Sequence, residues 1–160
     1  MAWTYHNPVA IRFGAGAFDG LAAAIAGRPW ALVTYGDDHF RKLARRAIDR
    51  AGVPVAVIDD ITPNPDFASL QGWCAALGRR TGTAIVALGG GSVIDAAKVL
   101  AASGGDFAAI RARLESGGDG SLDPLPLIAV PTTAGTGSEV TRWATWSRTW
   151  RSSRSSGFIR

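Results

Sequence analysis

The chain has 160 residues, 47% hydrophobic and 19% charged, with a net charge of +4. That length suits one domain with a small core, and no run of 18 apolar residues marks a membrane span. The net charge does not mark a nucleic-acid binder, because residues 1–141 hold twelve basic and all thirteen acidic side chains, and the other five arginines fall in the last 19 residues.

Cys74 is the only cysteine, which excludes an intrachain disulfide and fits a small core residue in a reducing compartment. The N-terminus has no basic segment followed by an apolar one, so no secretory signal is read there. A cytoplasmic protein with no membrane partner is expected.

Residues 8–13 (PVAIRF) read as a short strand, followed by a glycine turn at Gly14 and Gly16 and a helix over 17–26. Residues 30–35 (WALVTY) form a compact apolar run, expected as a buried strand. Apolar residues at 40, 43, 44, 47 and 48 predict a helix over 38–51, stopped by Gly52. Residues 53–58 (VPVAVI) read as the next strand and 62–65 as a rigid loop. A helix over 66–81 has Asp66 as its expected cap.

Residues 83–88 (TAIVAL) read as a strand covered on both faces. Helices are predicted over 92–102 and 106–114, a loop over 117–120, and a strand over 127–130. Strands alternating with helices predict an α/β fold built on a parallel sheet. From Arg142 onward no periodicity, cap or apolar strand is visible, and 13 of the last 19 residues are Arg, Ser or Trp. That tail is expected to be non-native or disordered.

The sharpest chemical signal is GGGSVIDAAK at 89–98, which leaves the strongest strand and opens a helix. Three glycines allow close approach to the backbone. The helix N-terminus then offers unpaired N–H groups and the positive end of its dipole, which suits a diphosphate. Ser92 and Asp95 also fit a capping box, so Asp95 has two readings, a cap or a group near a ligand. Lys98, two turns in, is expected as a solvated surface lysine.

PTTAGTGSEVT at 131–141 leaves the C-terminal end of the next strand, where open α/β sheets bind ligands. Its small hydroxyl residues are suited to phosphate or ribose oxygens. Read alone it is a polar turn with Thr136 or Ser138 as a cap. A competing site is Gly14-x-Gly16, with Asp37 and Asp38 about 20 residues on, but Gly20 stands one place late for the third glycine of a dinucleotide fingerprint. His6 and His39 are isolated, and neither has a second metal ligand at helical spacing.

Together, the two long motifs resemble those of the iron-containing alcohol dehydrogenases in order and separation. Phe13-Gly14-x-Gly16, Val33-Thr34 and Asn64-Pro65 agree with that family's N-terminal domain. The resemblance covers residues 8 to about 141. It implies a Rossmann-like parallel sheet flanked by helices that binds NAD or NADP. A second, all-helical domain would hold iron or another divalent metal.

It further implies that Gly89, Gly90, Gly91 and Ser92 hold the diphosphate and that Asp95 lies beside the nicotinamide and its ribose. Thr132, Thr133 and Thr136 would sit near the adenine side and phosphates, and Asn64 would line the cleft. The place of the acid that accepts the adenine-ribose hydroxyls is occupied by Tyr35-Gly36-Asp37. The family's metal ligands, an Asp and three His, lie downstream of the threonine loop. Neither His6 nor His39 matches them, so no metal or catalytic residue is carried over.

The expectation is therefore residues 1–141 as the nucleotide-binding part of an enzyme that interconverts a small alcohol and aldehyde, inactive by itself and poorly soluble. The alternative is a non-catalytic nucleotide-binding module whose basic tail contacts nucleic acid. A homo-oligomer stays open.

Overall fold

A computed structural model of the chain describes residues 4, 7–115, 122–141, 143–147 and 154–158. Four parallel strands form the main sheet: β1 (Trp30–Thr34), β2 (Ala56–Ile58), β3 (Ala84–Gly89) and β4 (Leu127–Pro131), in the order β2-β1-β3-β4. The helices are α1 (Leu21–Ile25), α2 (Asp38–Ala51), α3 (Phe67–Leu77), α4 (Gly91–Ser103) and α5 (Phe107–Glu115). The α/β class and the parallel sheet stand as the sequence implied.

Each central strand feeds two cores. On β1, Trp30 and Leu32 face the side covered by α1 and α2, and Ala31 and Val33 face α3, α4 and α5. All five residues of β1 and all six of β3 are buried. Continuous apolar strands are what a sheet with two covered faces requires. α2 is amphipathic, laying Leu43, Ala44, Ala47 and Ile48 on the sheet. Every residue of α4 from Val93 to Ser103 is buried, so this helix sits inside the domain.

The caps follow local chemistry. Asp37 accepts hydrogen bonds from the N–H groups of His39 and Phe40 at the start of α2. Asp66 accepts one from Ser69 N–H at the start of α3, as expected. Cys74 is a buried residue of α3 whose Sγ lies 3.2 Å from Ser103 Oγ. Burial pushes its thiol pKa up, the state of a core cysteine.

Four expectations are corrected. Residues 8–13 form no strand, because they pair with none of the described strands, and Phe13 is fully exposed. The strand read over 53–58 keeps only Ala56–Ile58, since Pro54 has no N–H to give a ladder. The helix read to residue 81 stops at Leu77, where Gly78 adopts φ 65°.

The last correction concerns the tail, where no strand was read. β5 (Trp143–Ser147) and β6 (Arg154–Phe158) pair antiparallel, with Ala144 opposite Gly157. Ala144 is fully buried against the α4 side of the sheet. Pairing between strands is a long-range event, invisible to local composition. The loop read over 117–120 lies outside the described residues. Among the described residues the large exposed apolar side chains are Val9, Ile11, Phe13, Val53, Val55 and Val57, on the N-terminal segment and on or just before edge strand β2.

Gly105 shows how tightly the turn between α4 and α5 meets the C-terminal end of α3. It has φ 88°, and a Cβ there would run into the carbonyl oxygen of Gly78, the residue that ends α3. Arg79 beside it pairs with Asp106, whose carboxyl that guanidinium holds below its usual range. Gly105→Ala is expected to cost about 2–4 kcal/mol through strain and overpacking, read by denaturant unfolding. A loss below about 0.5 kcal/mol would show that this junction is not closely packed.

Candidate functional site

In the order β2-β1-β3-β4 the chain leaves β1 toward one edge and β3 toward the other. The C-terminal ends of β1 and β3 therefore border a topological switch point, where open α/β sheets form a crevice. Residues 35–37 leave β1 at this place, and residues 89–92 leave β3. The 131–138 segment leaves the adjacent β4, in register through Gly89 opposite Pro131.

The two loops are packed together. Thr132 N–H donates to Gly89 O at 3.0 Å. A Cβ on Gly90 would lie 2.9 Å from Thr133 Oγ1 and 3.8 Å from the Tyr35 hydroxyl. One on Gly91 would lie 3.4 Å from Thr136 Cγ2, and one on Gly89 would run into Val93 of the next helical turn. Gly90 has φ −85°, which any residue adopts, so glycine is needed here for space.

α4 begins at Gly91 with Gly90 as its N-cap and no side-chain cap. The capping box read at Ser92 and Asp95 is thus corrected: Ser92 lies inside the first turn. Its hydroxyl instead accepts a hydrogen bond from Asn64 N–H at 3.4 Å, and Asn64 holds a left-handed conformation with φ 52°. Of the two caps read for the threonine loop, Ser138 is corrected, because it lies inside the 3-10 turn Ser138–Val140, behind Gly137. Thr136 Oγ1 accepts the N–H of Ser138 at 3.3 Å. The arrangement brings Asn64, Gly89, Gly90, Gly91, Ser92, Thr132, Thr133 and Thr136 to one end of the sheet.

Asp95 lies beneath these loops, 8% exposed. Its Oδ1 accepts the Ser138 hydroxyl at 2.6 Å and the Lys98 ammonium at 3.2 Å, and its Oδ2 accepts Thr145 N–H at 3.0 Å. Lys98 is not a surface lysine: it is 8% exposed and also donates to Thr141 Oγ1 at 3.3 Å. The signal that finds it is α4 itself, apolar on every side, so that a charge within it is buried and must be paired. Ser138 and Thr145 carry no such local signal, being 43 and 50 residues from Asp95.

The competing glycines do not build a site. Gly14 and Gly16 follow no strand, and a Cβ on Gly14 would meet nothing within 4 Å. An open concavity of about 690 Å³ lies between β2 and α3, lined by Asp59, Asp60, Thr62, Ser69 and Trp73 among others, and its two carboxylates disfavour a phosphate. Among the described residues no three His, Cys, Asp or Glu side chains are grouped to hold a metal. His39 is exposed with its ring edge-on to Phe40, and His6 lies outside the described residues. The described residues therefore offer no such group to an iron ion.

The sequence model of the iron-containing alcohol dehydrogenases matches residues 8–158. The chain belongs to this family. The match runs past Thr141, where the resemblance in the sequence had been placed, and includes the β5–β6 hairpin. The 4-hydroxybutyrate dehydrogenase of Cupriavidus necator is 44% identical over 107 residues, 64% of this chain and 28% of that protein. The NADPH-dependent aldehyde reductase YqhD of Escherichia coli is 32% identical over 148 residues, 89% of this chain and 38% of that protein.

Among solved structures, sulfoacetaldehyde reductase from Bifidobacterium kashiwanohense in complex with NAD+ superposes with a TM-score of 0.84 at 31% identity. That likeness covers 99% of this chain and 43% of the reductase. The chain thus spans less than half the length of these family members.

The buried pair makes a stability prediction. Lys98→Met leaves the Asp95 carboxylate without its counter-charge in a buried site. The expected loss is about 3 kcal/mol, measured by chemical denaturation. A loss under about 1 kcal/mol would mean that the pair behaves as a solvated one.

Proposed function

We propose that this chain binds a nicotinamide dinucleotide at the switch point between β1 and β3, with the diphosphate over Gly90. One observation carries the reading. The first turn of α4, Thr133 Oγ1 and the Tyr35 hydroxyl converge on a point that any side chain at position 90 would fill. Helix N–H groups and hydroxyls donating to one point suit an anion. Close approach of a diphosphate to the backbone needs that point empty.

The other residues follow from this placement. Gly89, Gly91 and Ser92 border the diphosphate through the turn and the first N–H groups of α4. Thr132, Thr133 and Thr136 present the opposite wall. Asn64, tied to Ser92 Oγ through its N–H, closes one side of the cleft. When bound, the nicotinamide supplies or accepts the hydride in the family's interconversion of alcohols and aldehydes. The metal that polarises the substrate oxygen in that chemistry would be held by residues other than those described here. We infer that this 160-residue chain binds cofactor but does not turn over an alcohol by itself.

NAD is favoured over NADP. Asp37 and Asp38 stand where the chain leaves β1, both exposed. Arg41, the nearest cation on α2, already pairs with Asp38 at 3.2 Å. A ribose hydroxyl can donate to such carboxylates, whereas a 2′-phosphate is repelled by them.

Isothermal titration of the purified chain tests the reading. NAD should bind, and NADP should bind about tenfold more weakly. Gly90→Val should abolish NAD binding while the thermal transition persists. Equal binding of NAD by Gly90→Val would place the cofactor elsewhere. Steady NADH oxidation by the chain with a small aldehyde and added Fe2+ would overturn its inactivity.

A further inference from the structure

We propose that this chain forms a twofold dimer in which the segment 8–13 of each copy lies as an added strand along edge strand β2 of the other. The inference stands apart from the nucleotide site and does not depend on it.

The segment and the edge share one unfinished pattern. Val9, Ile11 and Phe13 alternate along the segment, and Phe13 is fully exposed. Val53, Val55 and Val57 alternate along the run that becomes β2, and Val53 is 83% exposed. A period of two puts each set on one face of an extended chain. Val57 stands opposite Leu32, on the face of the sheet that α1 and α2 cover further in. Along β2 that cover falls short, and all three valines stay exposed. β2 also ends the sheet, pairing with β1 alone among the described strands. An apolar edge with an open ladder accepts another strand.

Length and charge select the occupant. Residues 8–13 and 53–58 are six residues each, about 20 Å of extended chain. Arg12 is the only charged residue of the segment and alternates out of phase with its apolar row. It forms no ion pair among the described residues. β2 leads into Asp59 and Asp60, both exposed, on the rim of the concavity beside α3, and they too lack a cation among the described residues. A strand that lays residues 9, 11 and 13 on the valines turns Arg12 to the opposite face, the side of those carboxylates. In its own chain the segment is tied to the start of α1, with Arg12 beside Gly20, and pairs with no described strand. In a twofold pair each copy gives one segment and receives one, so the contact closes at two copies.

Sedimentation velocity of the full chain tests this. A dimer should predominate at about 100 μM, since interfaces of ordinary size bind at micromolar strength or better. Ile11→Asp and Val55→Asp lie at exposed positions and should keep the thermal transition. Each should weaken the dimer about a hundredfold by placing an unpaired charge in the contact. In either strand direction a centred register sets Ile11 beside Val55. The variant carrying both Ile11→Cys and Val55→Cys should therefore give a covalent dimer on oxidation, and neither single variant should.

A monomer at that concentration overturns the proposal. So does a dimer that either aspartate variant leaves intact, or one in which the double cysteine variant gives no covalent dimer. A covalent dimer from a single cysteine variant overturns it as well, because like residues would then face each other.

Discussion

The site depends on how closely two segments approach, the 89–92 turn and the 131–138 loop. Parallel pairing of β3 with β4 fixes that distance, since it sets Gly89 opposite Pro131 and joins Thr132 N–H to Gly89 O. With the strands 4.7–4.9 Å apart, roughly the spacing of any sheet, the loops that leave them have no room for a side chain at position 90. The glycines are the consequence. The same closeness brings a helix N-terminus and a hydroxyl wall together, the arrangement on which the proposed anion site rests.

A buried charge pair holds the arrangement from below. Asp95 and Lys98 sit in a helix whose other residues are almost all apolar, so each charge is compensated by the other and by donors and acceptors that include a few on later parts of the chain. Those few partners are not spread at random. Ser138, Thr141 and Thr145 lie on successive parts of the chain after β4, so one ion pair ties the loop, its 3-10 turn and the first strand of the hairpin to α4. The hairpin is therefore attached to the same framework as the glycine turn, and the family match through residue 158 agrees with that continuity.

Much of this was legible in the sequence where the signal was local. The apolar run of β1, the stripe of α2 from Asp38 to Ala51, the Asp66 cap and the two long motifs each carry their own period or spacing. Their convergence followed from strand order, because consecutive loops at the ends of parallel strands must share an edge. What was missed is non-local. Residues 8–13 have the composition of a strand but no partner, and residues 143–147 look irregular yet pair with a segment beyond them. Asp95 offered two local readings, a cap or a ligand contact. The structure gives the carboxylate partners 43 and 50 residues away, which neither local reading contained.

The central claim is that these two loops form one dinucleotide cradle. The most direct measurement is a titration of the uniformly 15N-labelled chain with NAD, followed by amide chemical shifts. The account predicts that the largest shifts fall together on residues 89–92 and 132–136, saturating with a single dissociation constant. Shifts centred on Gly14 and Gly16, or on the groove between β2 and α3, would contradict it.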